Sequence, residues 1–328
     1  MTPIVRLNLP FIIVIFSLLV FPRILGAFDE PEMIISSGNV TGVYYAVGNA
    51  VAKIYNRKLK EYKLRLITEA SEGSIANLGK VISKKADFGI AQANALYFAQ
   101  RGEQFWEGHP QIDLRAVLGL YTEALTIIAN SDVGVQSLTD LKGKTVNIGE
   151  FGSTDNAQAR GIFELVGLDP NKEIKIVEKP TYLAPELLQS GDIDAYFYSV
   201  GHPNLSVIEA SHGKRQIMIV SPGSEVIAKS LKSRPYLSQE IIPIDYYPNL
   251  VNKEPVSTIG VKAILFTRKE MDEKVVYHIV KEIYENFDLF ERQHPALADL
   301  TTEDLTTGLI VPLHPGAERY FREMRLLH

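Results

Sequence analysis

The chain contains no cysteine. That excludes disulfides, thiolate-bound zinc, a thiol nucleophile and a lipid-modified N-terminal cysteine. A chain of 328 residues needs no disulfides, because it buries enough apolar surface without them. Histidine is sparse, at 7 residues, and none of them forms a His-Glu-x-x-His pattern. No Gly-x-Ser-x-Gly elbow for a serine nucleophile occurs. Gly143-Lys144-Thr145 has the tail of a phosphate-binding loop, but Leu138 stands where its first glycine would be. A basic excess is also missing: 34 Lys and Arg face 39 Asp and Glu, a net charge of −5. Such a balance argues against nucleic acid as a partner. There is no internal repeat, low-complexity tract or long charge run.

Long hydrophobic runs are confined to the N-terminus. A short basic start at Arg6 precedes an apolar run from Phe11 to Val20, and Leu25-Gly26-Ala27 closes it with small residues. This pattern predicts a secretory signal peptide over 1–27, cleaved after Ala27. The alternative is a retained anchor, although the run is shorter than the ~20 residues that span a bilayer. The expected location of the rest is therefore the periplasm.

Beyond Ala27 the chain alternates between strand-like and helical stretches. "MIISS" (33–37), "KLRLIT" (63–68), "DFGIAQ" (87–92), "TVNIGEF" (145–151), "IKIVEK" (174–179), "IDAYFYSVG" (193–201) and "QIMIVS" (216–221) read as strands. "LRAVLGLY" and "ALTIIAN" read as a strand-rich pair around Tyr121. Between them run helical patterns, the first with Val43, Val47, Ala50, Val51 and Ile54 on one face. A long amphipathic helix aligns Val275, Ile279, Ile283 and Phe287, and "LHPGAERYFREM" closes the chain as a capped helix. His278 and Glu282, four apart on the former, read as an exposed polar pair. This alternation predicts an α/β fold with largely parallel sheets in two lobes around a ligand cleft. The expected lobe I spans 28–135, lobe II spans 136–220, and 221–328 returns to lobe I.

Three loops share one design: a strand, then glycine with serine or threonine, then a helix. They are "SGNVTGVYY" (37–45), "EASEGSIAN" (69–77) and "EFGSTDNAQ" (150–158). Open α/β sheets bind ligands beyond the carboxyl ends of their strands. Helix N-termini there offer free N–H groups and partial positive charge, which suit an anion. Thr41, Ser74 and Ser153 or Thr154 are natural N-caps. Each could equally be a cap and nothing more. One of Tyr44 and Tyr45 is expected to face the cleft. Tyr198 alternates with core positions on its strand, and Gln92 ends a buried strand.

"TGVYYAVG", "GSIANL", "DFGIAQ", "LYTE", "SLTDLKGKTVNIG", "GDIDAYFYSVGHPN" and "LHPGAERYF" together resemble the TAXI family of TRAP-transporter solute-binding proteins, which includes the 31 kDa immunogenic-protein-like antigens. The likeness runs from about Met33 to about Arg322. It implies a type II periplasmic-binding-protein fold. It also implies capture of a small anionic solute, a carboxylate or an amino acid such as glutamate, for delivery to a TRAP-type membrane permease. The ligand residues that it implies, with those of the loops, are Thr41, Gly42, Tyr44, Tyr45, Ser71, Gly73, Ser74, Asn77, Gln92, Tyr121, Gly152, Ser153, Thr154 and Tyr198. No catalysis, cofactor or metal is expected. An exported ligand sensor or surface antigen on the same clamshell is the alternative, and a hydrolase would need a nucleophile–base pair that the sequence does not offer.

Overall fold

A computed structural model of the chain describes residues 30–247 and 249–327. The expected signal peptide lies outside them. The first half of the chain holds β1 (Glu32–Ser36), α1 (Val43–Tyr55), α2 (Leu59–Tyr62), β2 (Arg65–Glu69), α3 (Ser74–Ile82), β3 (Phe88–Gln92), α4 (Ala93–Arg101), β4 (Leu114–Asn130) and β5 (Thr145–Asn147). Then come α5 (Thr154–Leu165), α6 (Pro170–Glu173), β6 (Lys175–Val177), α7 (Ala184–Ser190), β7 (Ala195–Val200), α8 (Leu205–Ser211) and β8 (Ile217–Val220). The chain ends with α9 (Ser224–Ser233), β9 (Leu237–Ile242), β10 (Val256–Arg268), α10 (Glu273–Glu285), α11 (Phe287–Glu291) and α12 (Pro315–Glu323).

All ten strands join one sheet in the order β2-β1-β3-β10-β4-β7-β5-β6, with β8 on β4 and β9 on β10. The outer parts are parallel: β1 with β2 and β3, and β5 with β6 and β7. The centre is not. β4 and β10 run antiparallel to each other, and each is antiparallel to its other neighbours as well. The expected strand pair around Tyr121 is instead one strand of 17 residues, because nothing between Leu120 and Ala124 supplies turn chemistry. The β4–β10 ladder slips beside Tyr121: Lys262 faces Thr122, but Ile264 faces Gly119. A bulge of this kind bends the strand and re-aims its side chains.

The helical faces read from the sequence are buried. Val43, Val47, Ala50, Val51 and Ile54 of α1 all pack into the core beneath β1–β3, together with Val276, Ile279, Val280 and Ile283 of α10. Phe287 lies beyond the end of α10 at Glu285, as the first residue of α11, and packs half-buried against the same core. His314 caps α12 as expected, its Nδ1 accepting from the Gly316 N–H at 3.2 Å. Glu282 departs from its expected exposed role. It is buried and accepts from the Tyr62 hydroxyl, while His278 stacks on the Tyr62 ring at 4.1 Å.

A second core gathers Leu125, Ile127 and Ala129 of β4 with Ile162 and Phe163 of α5 and Phe197 of β7. Val226 and Ile227 of α9 join the same core, as does Ile259 of β10. β4 and β10 each contribute side chains to both cores. Apolar contact on α9 holds the intervening segment to the second lobe. No helix among the described residues is long and apolar enough to cross a membrane.

Candidate functional site

A cleft of about 830 Å³ opens beyond the carboxyl ends of β1, β2, β3, β5 and β7. Residues of both lobes line it. Of the fourteen residues singled out in the sequence, Tyr45 and Asn77 are outside the lining and the other twelve are in it.

The first loop folds on itself. Asn39 Oδ1 accepts from the Thr41 N–H at 3.1 Å and from its hydroxyl at 3.0 Å, and the Asn39 carbonyl accepts from the Gly42 N–H. Thr41 is therefore committed to this turn. Gly42, not Thr41, is the residue before α1, and no side chain caps that helix. Tyr44 points into the cleft, its hydroxyl 3.3 Å from Ser74 Oγ. Tyr45, one residue on and about 100° around the helix, is turned away from it.

The second loop departs from expectation in a similar way. Ser74 is the first residue of α3, and Gly73, at φ +99°, precedes it in a conformation open to glycine. Instead of capping α3, Ser74 Oγ accepts from the Gln92 N–H at 3.1 Å and so ties the loop to the end of β3. Asn77 is fully buried. It accepts from Ser36 and Ser71, each at 2.6 Å, and donates to the carbonyls of Ser37 and Ile90. With its amide spent on four residues of three chain segments, Asn77 positions the loops and does not face the cavity.

The third loop agrees with the sequence reading. Ser153 caps α5, accepting from the Asn156 N–H at 3.2 Å, and Thr154 opens the helix. Gly152 has φ +85°. On β7, Tyr196 and Phe197 are in the core and half-buried Tyr198 lines the cleft, as does Tyr121 on β4.

Two acids in the cleft carry no motif. Glu123 of β4 is 3% exposed. Its Oε2 accepts from Gln92 Nε2 at 2.6 Å, whereas Oε1 has no hydrogen-bond partner among the described residues. Burial pushes its carboxyl up to about 8, and the Asp155 charge pushes the same way, against the Gln92 and Tyr44 side chains. Asp155 of α5 accepts from the Ser199 N–H at 2.9 Å and from the Thr181 hydroxyl at 3.3 Å. Burial raises it to about 6 despite those donors.

A chain of side-chain hydrogen bonds joins the lobes across the floor. Gln158 Nε2 donates to Gln92 Oε1 at 2.9 Å, and Ser199 Oγ donates to Gln158 Oε1 at 2.6 Å. Glu123, Gln92, Gln158, Ser199 and Asp155 thus form one continuous line. Glu72 and Glu150 add two more acids to the lining, which includes no Lys, Arg or His. Among the described residues, no group of three or more His, Asp or Glu is arranged to hold a metal ion.

The arrangement offers N–H groups at helix starts, hydroxyls, four tyrosines and buried carboxyls. A family model described as the NMT1-like family matches residues 35–324. Similar solved structures include MatC from Rhodopseudomonas palustris with bound malate, at 14% identity and a TM-score of 0.57, covering 91% of this chain and 98% of that one. The periplasmic binding protein BugD aligns at 13% identity and a TM-score of 0.56, over 91% of this chain and 99% of that one. The periplasmic aliphatic sulphonate binding protein SsuA from Escherichia coli aligns at 14% identity and a TM-score of 0.50, over 89% of this chain and 83% of that one.

Proposed function

The chain belongs to the NMT1-like family, and from that premise we propose that it is an exported receptor that captures a small solute between its two lobes. One observation carries this reading: a single cleft receives its lining from loops on both sides of the shared strands, and a side-chain chain crosses its floor. A solute that touches both lobes stabilises the closed state by its differential affinity for that state.

The solute carries a carboxylate. The N-termini of α3 and α5 open on the cleft, and each favours an anion by about 0.3–1 kcal/mol or more when partly buried. No cationic side chain competes for that role. MatC, whose structure holds malate, supports the reading by likeness of fold alone. The set of sequence motifs supports delivery to a TRAP-type permease, driven by an ion gradient. Export with cleavage after Ala27 belongs to the same reading.

Thermal-shift and calorimetric screening of residues 28–328 against carboxylates, amino acids, sulfonates and sugars tests it. Saturable binding of a carboxylate-bearing compound is expected. Binding of sugars alone would reject the carboxylate, and no binding at all would reject the receptor. Uptake in vesicles that contain the partner permease should collapse with the ion gradient and persist without ATP.

A further inference from the structure

A second cavity, of about 410 Å³, runs along α5 beside the cleft. Ile75 and Thr154 line both, so the two adjoin. Its walls are α4 and the turn after it on one side, and α5 with the chain from Arg234 to Leu237 on the other. Four aromatic side chains line it: Phe98, Phe105, Trp106 and Tyr236. Phe98 and Tyr236 meet edge to face between the two walls, with ring centroids 5.5 Å apart. A largely apolar cavity of this size, with a few polar groups in its lining, suits a small ligand.

The buried polar groups left over in that lining are donors. Asn94 is 5% exposed. Its Oδ1 accepts from the Ala95 N–H at 2.8 Å, which fixes the amide's orientation and leaves Nδ2 without an acceptor among the described residues. The indole N–H of Trp106 is buried and has no partner among them either. Arg234 is half-buried. Its guanidinium reaches the Gly161 carbonyl at 3.2 Å, the Ser230 hydroxyl at 3.5 Å and the Tyr236 side chain, all of them neutral. No carboxylate pairs with Arg234 among the described residues. Arg160, the other cation of the lining, is held by Glu178 at 2.9 Å, and the single acid, Glu164, is exposed. Buried donors seldom stay unpaired, and a guanidinium on neutral partners favours a carboxylate or a similar oxyanion. The rings around it favour a flat apolar body.

We propose that this cavity is a second binding site, separate from the cleft, for a planar apolar anion. Its ligand class is an aromatic carboxylate or sulfonate whose oxygens are held by Arg234 and whose ring lies among the four aromatic side chains. The site does not depend on what the cleft captures, although its occupant shares α5 with the cleft, where the first turn of that helix forms part of the wall.

Trp106 is the only tryptophan in the chain, so the one indole signal in a nitrogen–proton correlation spectrum reports on this cavity. Residues 28–328 are titrated with 2-naphthoate, naphthalene-2-sulfonate, the neutral 2-naphthalenemethanol and inorganic sulfate. The two naphthyl anions are expected to move the indole signal saturably and to bind at least tenfold more tightly than the neutral alcohol, and sulfate is expected to leave the signal in place. Arg234→Gln is expected to weaken both anions about tenfold to a hundredfold and to leave the alcohol unchanged. Thermal melting checks that this variant folds. If it does not, Phe105→Ser, at a side chain 50% exposed, replaces it and is expected to weaken all three naphthyl compounds. An indole signal that no anion moves, or an alcohol that binds as tightly as the anions, overturns the site. So does heat of binding with a stationary indole signal, which would put the naphthyl group in the cleft. Anion affinity that survives Arg234→Gln unchanged overturns it as well.

Discussion

A carboxyl buried as deeply as Glu123 makes folding depend on pH, with a sign opposite to that of a salt-bridged acid. Its folded value of about 8 exceeds the ordinary 4.5, so between those values the folded protein holds a proton that the unfolded chain has lost. The stability contribution is complete below pH 4.5 and is lost as pH rises through 8, at about 1.4 kcal/mol per pH unit at most. Asp155 acts in the same direction over its narrower window, from 3.8 to about 6. Glu123→Gln should flatten the fall above pH 6. In urea unfolding at pH 5 and pH 8.5, the variant is expected to gain a few kcal/mol on the wild type between the two conditions. Parallel pH profiles would show that Glu123 ionises freely in the fold. Asn77 is the complementary case, a side chain with all its bonds made inside the protein. Asn77→Ala removes the amide donor to the Ser37 and Ile90 carbonyls, the first of which keeps only the Ser71 hydroxyl, and it should cost on the order of 3 kcal/mol in the same assay.

Ser153 joins two roles at one helix start. It caps α5 and lines the cleft. Ser153→Ala is expected to lose about 1 kcal/mol of stability from the cap and about tenfold in affinity from the solute contact. Unfolding and titration of one variant separate the two, and unchanged affinity would leave Ser153 a cap alone. The elements that the sequence made legible are those whose logic is local. The buried face of α1 shows in its apolar spacing, and the glycine- and serine-bearing loops sit where a strand hands over to a helix. Thr41 and Ser74 had the right chemistry for caps, but partners elsewhere claimed them: Asn39 for the one, and the Gln92 N–H for the other. Glu123, Asp155, Gln158 and Ser199 were not legible. They meet only because β4 pairs with β7 and α5 packs on β7 through Phe163 and Phe197. Tyr121 and Glu123 share a side of β4 by their spacing of two, so Glu123 was one step away once Tyr121 had been noticed.

For the whole molecule, the two lobes read from the sequence are present, but they are cut from one sheet rather than joined by loops. Closure on a solute is expected to reduce the radius of gyration, and small-angle scattering with and without a saturating binder checks it. An unchanged value at saturation would mean that the cleft binds without closing. β4 and β10 contribute to both cores at once, and their mutual ladder is irregular at two places, beside Tyr121 and again between Leu118 and Ala116, without ending at either. Two strands that pass unbroken through a hinge behave as a leaf spring. Opening and closing are then stored as twist and recoil, with no ladder unzipped and no detour through a partly melted state. In kinetic language, capture should obey one exponential whose rate keeps rising with solute concentration. The protein should likewise melt in one transition, because neither lobe can let go of the shared strands without the other.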